Sequence, residues 1–152
     1  MKPLKNYILP DQTSQNYFGA KRKYDIHTGV DLFCSENDDV YSMYDGIVTS
    51  VVEFTGFKES PWWNDTYAIM IYHHEIQKTF LYGEIKTDIL PGSIINAGQL
   101  IGNVLTVLKE DKGKPMTMLH MECYKGIQKR PVWWHLNEEC PNFLENITEY
   151  LK

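Results

Sequence analysis

The sequence predicts an all-β protein: a single domain built on an antiparallel β-sheet, with a short C-terminal helix. Three observations carry this. Short runs alternate apolar and polar residues with a period of two, from Gly29 to Cys34, Val40 to Tyr44, Gly46 to Phe54, Tyr67 to His73 and Lys78 to Tyr82, which is the pattern of half-buried strands. Turn chemistry separates apolar runs, notably Asp45-Gly46, Pro91-Gly92 and Asn96-Ala97-Gly98. A helical period occurs only near the end, where Phe143, Leu144, Ile147, Tyr150 and Leu151 recur at three- and four-residue steps and make a core-facing stripe.

In chain order, residues 1–24 form an irregular lead-in broken by Pro3, Pro10 and Gly19. Its basic run, Lys21-Arg22-Lys23, reads as a solvated loop, with Arg22 also placed to hold an acidic neighbour or a substrate carboxylate. Residues 25–130 carry the strands, and residues 131–152 a docking segment and the terminal helix of the same domain. Between Phe54 and Tyr67 lies a loop with adjacent tryptophans, Trp62 and Trp63, either a lid over the core or a wall of a binding groove. His73 and His74 end a strand, and neighbours on a strand face opposite ways. Lys109 to Pro115 is a charged loop. After it, Met118, His120 and Glu122 share one strand face, directed at a cleft, while Leu119, Met121 and Cys123 share the other, directed at a core.

The length of 152 residues fits one domain with a substantial core. A net charge of −5 supplies no basic stripe, so a nucleic-acid partner or an anionic membrane surface is not expected. Cys34, Cys123 and Cys140 are an odd set without C-x-x-C spacing, read as three reduced thiols. Nowhere do 18 apolar residues run together, so no membrane span is expected. The N-terminal stretch lacks the apolar run of a secretory signal. The expectation is a chain made without a cleavable export signal, either cytoplasmic or a viral product released by lysis.

The chemistry-bearing stretch is Asp25-Ile26-His27-Thr28-Gly29-Val30-Asp31. Imidazole and carboxylate both suit zinc, and three protein ligands, His27, Asp31 and the distant His120, leave a coordination position open. Thr28, Gly29 and Val30 are poor helix-interior residues, so the pair is read as extended. Four extended residues separate the alpha carbons by roughly 13 Å, whereas two side chains meeting at one metal span on the order of 11 Å. The backbone must therefore bend, and Gly29 permits it through positive φ or a bulge. Asp25 is a candidate to orient His27 through its other ring nitrogen.

His27-Thr28-Gly29-Val30-Asp31 resembles the H-x-x-x-D element of the lysostaphin-type zinc metallopeptidases, the M23 peptidases, and Leu119-His120-Met121-Glu122 resembles the end of their H-x-H element. The likeness runs from about Tyr17 to Tyr124. Val40 to Val48 resembles the family's strand-turn-strand segment, and Leu90 to Gly102 its Gly-rich hairpin. The resemblance implies a barrel-sandwich hybrid fold, a Zn2+ cofactor held by His27, Asp31 and His120, and hydrolysis of peptide bonds in peptidoglycan stem peptides or cross-bridges. It also places Trp62 and Trp63 beside the substrate cleft and gives a released product a cell-wall target.

Two departures bear on activity. The family's first H-x-H histidine is Met118 here, and the histidine that follows its Tyr-Gly or Tyr-Ala pair is Glu84, after Tyr82-Gly83. A thioether moves no proton. Glu84 is the candidate general base, and His73 or His74 remains open as a stand-in. Glu122 is read as supporting the site or a nearby loop. The alternative to a zinc metalloendopeptidase is a metal-stabilised module that binds peptide or cell wall without turning it over.

Overall fold

The computed structural model describes residues 1–56, 58–110, 113 and 116–152. Of the charged loop from Lys109 to Pro115, residues 111, 112, 114 and 115 lie outside the described residues, as does Phe57 of the tryptophan loop. Among the described residues, nine strands form one antiparallel sheet. They are β1 (Val30–Phe33), β2 (Asp39–Tyr41), β3 (Gly46–Thr55), β4 (Thr66–His73), β5 (Lys78–Lys86), β6 (Ile94–Ile95), β7 (Leu100–Val104), β8 (Met118–Lys125) and β9 (Leu144–Glu145). The main path runs β1-β8-β5-β4-β3-β6, with β7 joining β2 to β5 and β9 on β8. No helix of the described residues is long and apolar enough to cross a membrane.

Alternation sorts the side chains onto two faces. Val30, Leu32, Ile69, Ile71, Phe80, Tyr82, Leu119, Met121 and Cys123 enter the main core. Ala68, Met70, Leu81 and Tyr124 face the other way and are covered by Ile26, Trp134 and Leu144. Hence the face that carries His120 and Glu122 is covered toward Tyr124, where the 131–145 segment roofs it, a cover that the strand pattern of β8 alone does not reveal.

The terminal helix, α1 (Thr148–Leu151), is a single turn. The apolar stripe expected on one helix is divided: Leu144 pairs with Tyr124 as part of β9, while Ile147 and Leu151 are buried in the main core. Asn146 accepts the Thr148 amide at 3.0 Å and starts the turn. All three cysteines are free thiols. Burial pushes the Cys34 and Cys123 thiols up to about 12, so they behave as small core hydrophobes.

The strands expected before Leu90 are all present, but β5 continues past Tyr82 to Lys86. Ala68 pairs with Gly83 and Tyr67 with Ile85, which leaves Glu84 as the extra residue of a β-bulge. Its φ is +65°, a conformation that costs a non-glycine residue roughly 1–2 kcal/mol. The chain also bends at Gly29 just before β1, the bend expected between His27 and Asp31. The reason differs from the expected one, since Gly29 is not among the residues with positive φ. A Cβ at Gly29 would collide with the Met121 carbonyl and press on the Glu122 side chain at 2.9 Å and the His120 ring at 3.0 Å. Glycine is needed there because β8 passes against the backbone itself. Gly29→Ala is expected to destabilise the fold by about 1–3 kcal/mol through overpacking, measured as a lowered denaturant midpoint at unchanged slope.

Candidate metal centre

Strand register brings the three candidate ligands together. Asp31 and His120 are direct cross-strand partners in the β1–β8 ladder, so their side chains stand on the same face. His27 arrives from before the bend. Among the described residues, His27, Asp31 and His120 form a group that could hold a metal ion, their ligand atoms all within 4.8 Å of one another. His27 Nε2 lies 3.3 Å from His120 Nδ1 and 3.3 Å from Asp31 Oδ2. Those spacings match the edge of a tetrahedron whose zinc bonds are ~2.0–2.1 Å. His120 Nδ1 and Asp31 Oδ1 are closer, at 2.7 Å, as a shared proton demands. Two imidazoles and a carboxylate, all buried, are a donor set that fits zinc.

Each candidate ligand is fixed from behind. His27 Nδ1 donates to the Tyr17 carbonyl at 3.0 Å, which leaves Nε2 directed at the group. Asp25 does not serve His27: its backbone bridges to His135, and the carbonyl of Tyr17 takes the role considered for it. His120 Nε2 donates to Glu122 Oε2 at 2.8 Å. Glu122 also accepts from Thr28 and from Tyr124, so it supports His120 and is itself held at both oxygens. Arg22 is not a free loop cation; its Nη2 donates to Asp31 Oδ2 at 3.1 Å. The Phe54 ring packs on His120 with centroids 5.2 Å apart.

The charges follow from these contacts. Burial works to raise the pKa of Asp31, yet its contacts with His120 and His27 outweigh it and hold the carboxyl well below the usual range. Glu122 is also held low, His120 overcoming the burial penalty. Burial favours neutral His120, but Asp31 and Glu122 raise its pKa to about 10. Glu84 behaves oppositely: burial first, then the Asp31 charge, pushes it up to about 8, with His120 and Arg22 pulling the other way. Among the described residues its Oε2 is buried without a hydrogen-bond partner.

Other candidates lie elsewhere. His73 is buried in the main-core face, where its Nε2 meets the Tyr82 hydroxyl at 2.9 Å, and burial pulls its pKa down to about 4. It pairs with Lys78 at the far end of β5, roughly 16 Å along the strand from Gly83. His74 is exposed. Neither stands in for a missing histidine at the group. Trp62 is 67% exposed and Trp63 half-buried, its backbone bridged to Leu108. Hydrogen bonds from Asn64 to Val107 and from Lys109 to Trp62 tie this loop to the chain leaving β7. That chain is in turn anchored to the Glu84 carbonyl through Leu105 at 2.9 Å.

Sequence reading missed Tyr17, Thr28, Phe54 and Tyr124. Tyr124 lies two residues beyond Glu122 and shares its face, and Phe54 belongs to an alternating strand, so both carried a signal. The Tyr17 contact is made by backbone and carried none.

The model of peptidase family M23 matches residues 25–132. This chain belongs to peptidase family M23. Among solved structures it is similar to the catalytic domain of the antimicrobial peptidase lysostaphin from Staphylococcus simulans, at 14% identity and a TM-score of 0.61, covering 95% of this chain and 92% of that one. It is also similar to a mutant catalytic domain of the prophage-encoded M23 protein EnpA from Enterococcus faecalis, at 21% identity and a TM-score of 0.55, covering 88% of this chain and 89% of that one. Whole lysostaphin aligns with 99% of this chain over 52% of its own length, at 16% identity and a TM-score of 0.65. The M23 chain thus has a lysostaphin-like fold. No curated protein sequence matches it.

Without a metal, Asp31 and Glu122 raise the His120 pKa to about 10 and favour the imidazolium, whose Nδ1 hydrogen would face Asp31 Oδ1 at 2.7 Å, where a cation would bond. Zinc uptake at neutral pH is therefore expected to release that proton. The association constant should rise about tenfold per pH unit from pH 7 toward 10 and fall on acidification. Titration calorimetry in buffers of different ionisation enthalpy reads the proton count, and the affinity series reads the slope.

Proposed function

We propose that this M23 member is a zinc-dependent metalloendopeptidase that hydrolyses peptide bonds in peptidoglycan stem peptides or cross-bridges. The observation that carries the reading is the convergence of His27 Nε2, Asp31 and His120 Nδ1 on one buried point with an unsatisfied carboxylate, Glu84, in their field. A bound zinc ion would supply Lewis acidity for hydrolysis. His27, Asp31 and His120 would hold it, and Glu122, accepting from His120 Nε2, would leave Nδ1 as the ligating atom. Phe54 covers the His120 ring and limits water there.

Glu84 is the general base. Its carboxylate takes a proton from the attacking water as the water oxygen bonds to the carbonyl carbon. It returns that proton to the amide nitrogen as the C–N bond breaks, so it ends as it began. A carboxyl raised to about 8 is basic enough for this near neutrality, and its buried Oε2 carries no hydrogen bond that an incoming proton would have to displace. Met118, half-buried on the same strand as His120, contributes no proton transfer. Trp62 and Trp63 stand on the loop tied to the Glu84 segment and serve as substrate contacts, the exposed indole of Trp62 offering a flat apolar surface. The lysostaphin-like fold and the M23 family match support the cell-wall substrate class.

Met118 also favours a second reading, a zinc-holding module that binds cell-wall peptide without cleaving it. Purified protein decides between them. The expected result is about one zinc per chain by elemental analysis, with turnover of peptidoglycan fragments. Glu84→Gln should keep the zinc and lose about 10²–10⁴-fold in kcat, and His120→Ala should lose the zinc. Zinc retained with no turnover by the wild type on any fragment would assign the chain to the binding module instead.

A further inference from the structure

The family match begins at residue 25, yet the groups that fix two of the three candidate ligands come from before it. Three consecutive residues of the lead-in present backbone carbonyls to the site. Tyr17 O faces His27 Nδ1 at 3.0 Å. Asn16 O accepts the Asp31 N–H at 3.0 Å. Gln15 O accepts from Arg22 twice, from Nε at 3.1 Å and Nη2 at 2.8 Å, and the same Nη2 reaches Asp31 Oδ2 at 3.1 Å. The carbonyl run is rigidly mounted. Tyr17 N–H bonds back to Ser14 O and Ala20 N–H to Tyr17 O. Gly19 N–H donates to His27 O while His27 N–H donates to Ala20 O, both at 2.9 Å, so this turn and the first ligand are locked by a reciprocal pair. Phe18 docks on Trp134, ring centroids 5.5 Å apart.

We propose that residues 14–22 are a working part of the metal centre, with Arg22 the positioning residue that holds the Asp31 carboxylate in its ligating orientation. The inference rests on the reading that His27, Asp31 and His120 hold zinc. A carbonyl only accepts hydrogen bonds, so Tyr17 O fixes the hydrogen of His27 on Nδ1 and leaves the Nε2 lone pair for the metal. A carboxylate on a short side chain still rotates, and the guanidinium stops that rotation. Arg22 can do so because its own Nε and Nη2 are forked on the Gln15 carbonyl, a planar arrangement that a lysine ammonium cannot copy. The two outer partners also tune the ligands in opposite senses. Glu122 adds negative charge behind His120 and makes it a better donor. Arg22 draws charge from Asp31 and leaves a bound cation more electron-poor, which strengthens its action as a Lewis acid.

The test compares the full-length wild type with Arg22→Met, Arg22→Gln and Arg22→Lys, and with Lys23→Met as a neighbouring-charge control. Zinc Kd is read by competition with a chromophoric chelator, the ligand field by the visible spectrum of the cobalt(II) form, and folding by the melting temperature of the metal-free protein. Arg22→Met is expected to raise the zinc Kd by about 10–100-fold and to shift the cobalt bands, with metal-free melting close to wild type. Arg22→Lys is expected to keep part of the affinity and Lys23→Met, with Arg22 intact, to keep all of it. Arg22→Gln, uncharged and hydrogen-bonding, gives the same reading should the methionine variant fold poorly. A wild-type Kd and an unshifted cobalt spectrum in Arg22→Met and Arg22→Gln would reduce Arg22 to a surface ion pair and overturn the inference while the zinc reading stands. A wild type that takes up neither ion overturns the zinc reading beneath it.

Discussion

Asp31 and His120 face each other across two hydrogen-bonded strands, and this pairing sets the geometry of everything around them. Residues 89 positions apart meet at 2.7 Å because Val30 and Leu32 on one strand, and Leu119 and Met121 on the other, fill the core beneath. A one-residue slip of either strand would turn its candidate ligand into the core and bring its apolar side chains to the surface. The apolar residues of β1 and β8 therefore specify the site as firmly as the polar ones form it. Gly29 allows the third component to join, since the backbone before β1 can press against β8 only where no side chain intervenes.

The neighbourhood of the three ligands is balanced as a unit. With Glu84 neutral, Asp31 and Glu122 carry two negative charges, and Arg22 with protonated His120 carries two positive ones. Asp31, Glu122 and His120 are buried, and each is paired and hydrogen-bonded, while Arg22 meets Asp31 from the partly exposed side. Exchange of the His120 proton for a divalent cation would add one unit of positive charge. A cation bound there would favour the carboxylate form of Glu84 that the proposed base needs.

Much of this was legible in the sequence. The alternation in β1, β3, β4 and β8 reports burial on one face, which survives any detail of topology, and the spacing of His27 and Asp31 around a glycine demanded a bend before β1. The role of Arg22 was readable only as one of two alternatives, because a basic run looks alike whether it meets water or a carboxylate. Other features depended on groups that a sequence does not display. The support of His27 by Tyr17 is a backbone contact, indifferent to the residue type at position 17. The single-turn α1 departs from its apolar stripe because Leu144 and Glu145 are captured by the edge of β8, a tertiary interaction that outweighs local period.

The bulge at Glu84 also explains why β5 was expected to end early. Tyr82 and Ile85 both enter the main core, although residues three apart on a regular strand face opposite ways. The inserted residue works as a phase shifter: it reverses the parity of the strand midway, so that two halves with conflicting alternation bury the same side. Residue identity at this point is consequently a stricter requirement than chain length. Without Glu84, Gly83 and Ile85 would follow one another opposite Ala68 and Tyr67, a regular ladder with Ile85 still on the face of Tyr82, so what the insertion adds is the carboxylate itself.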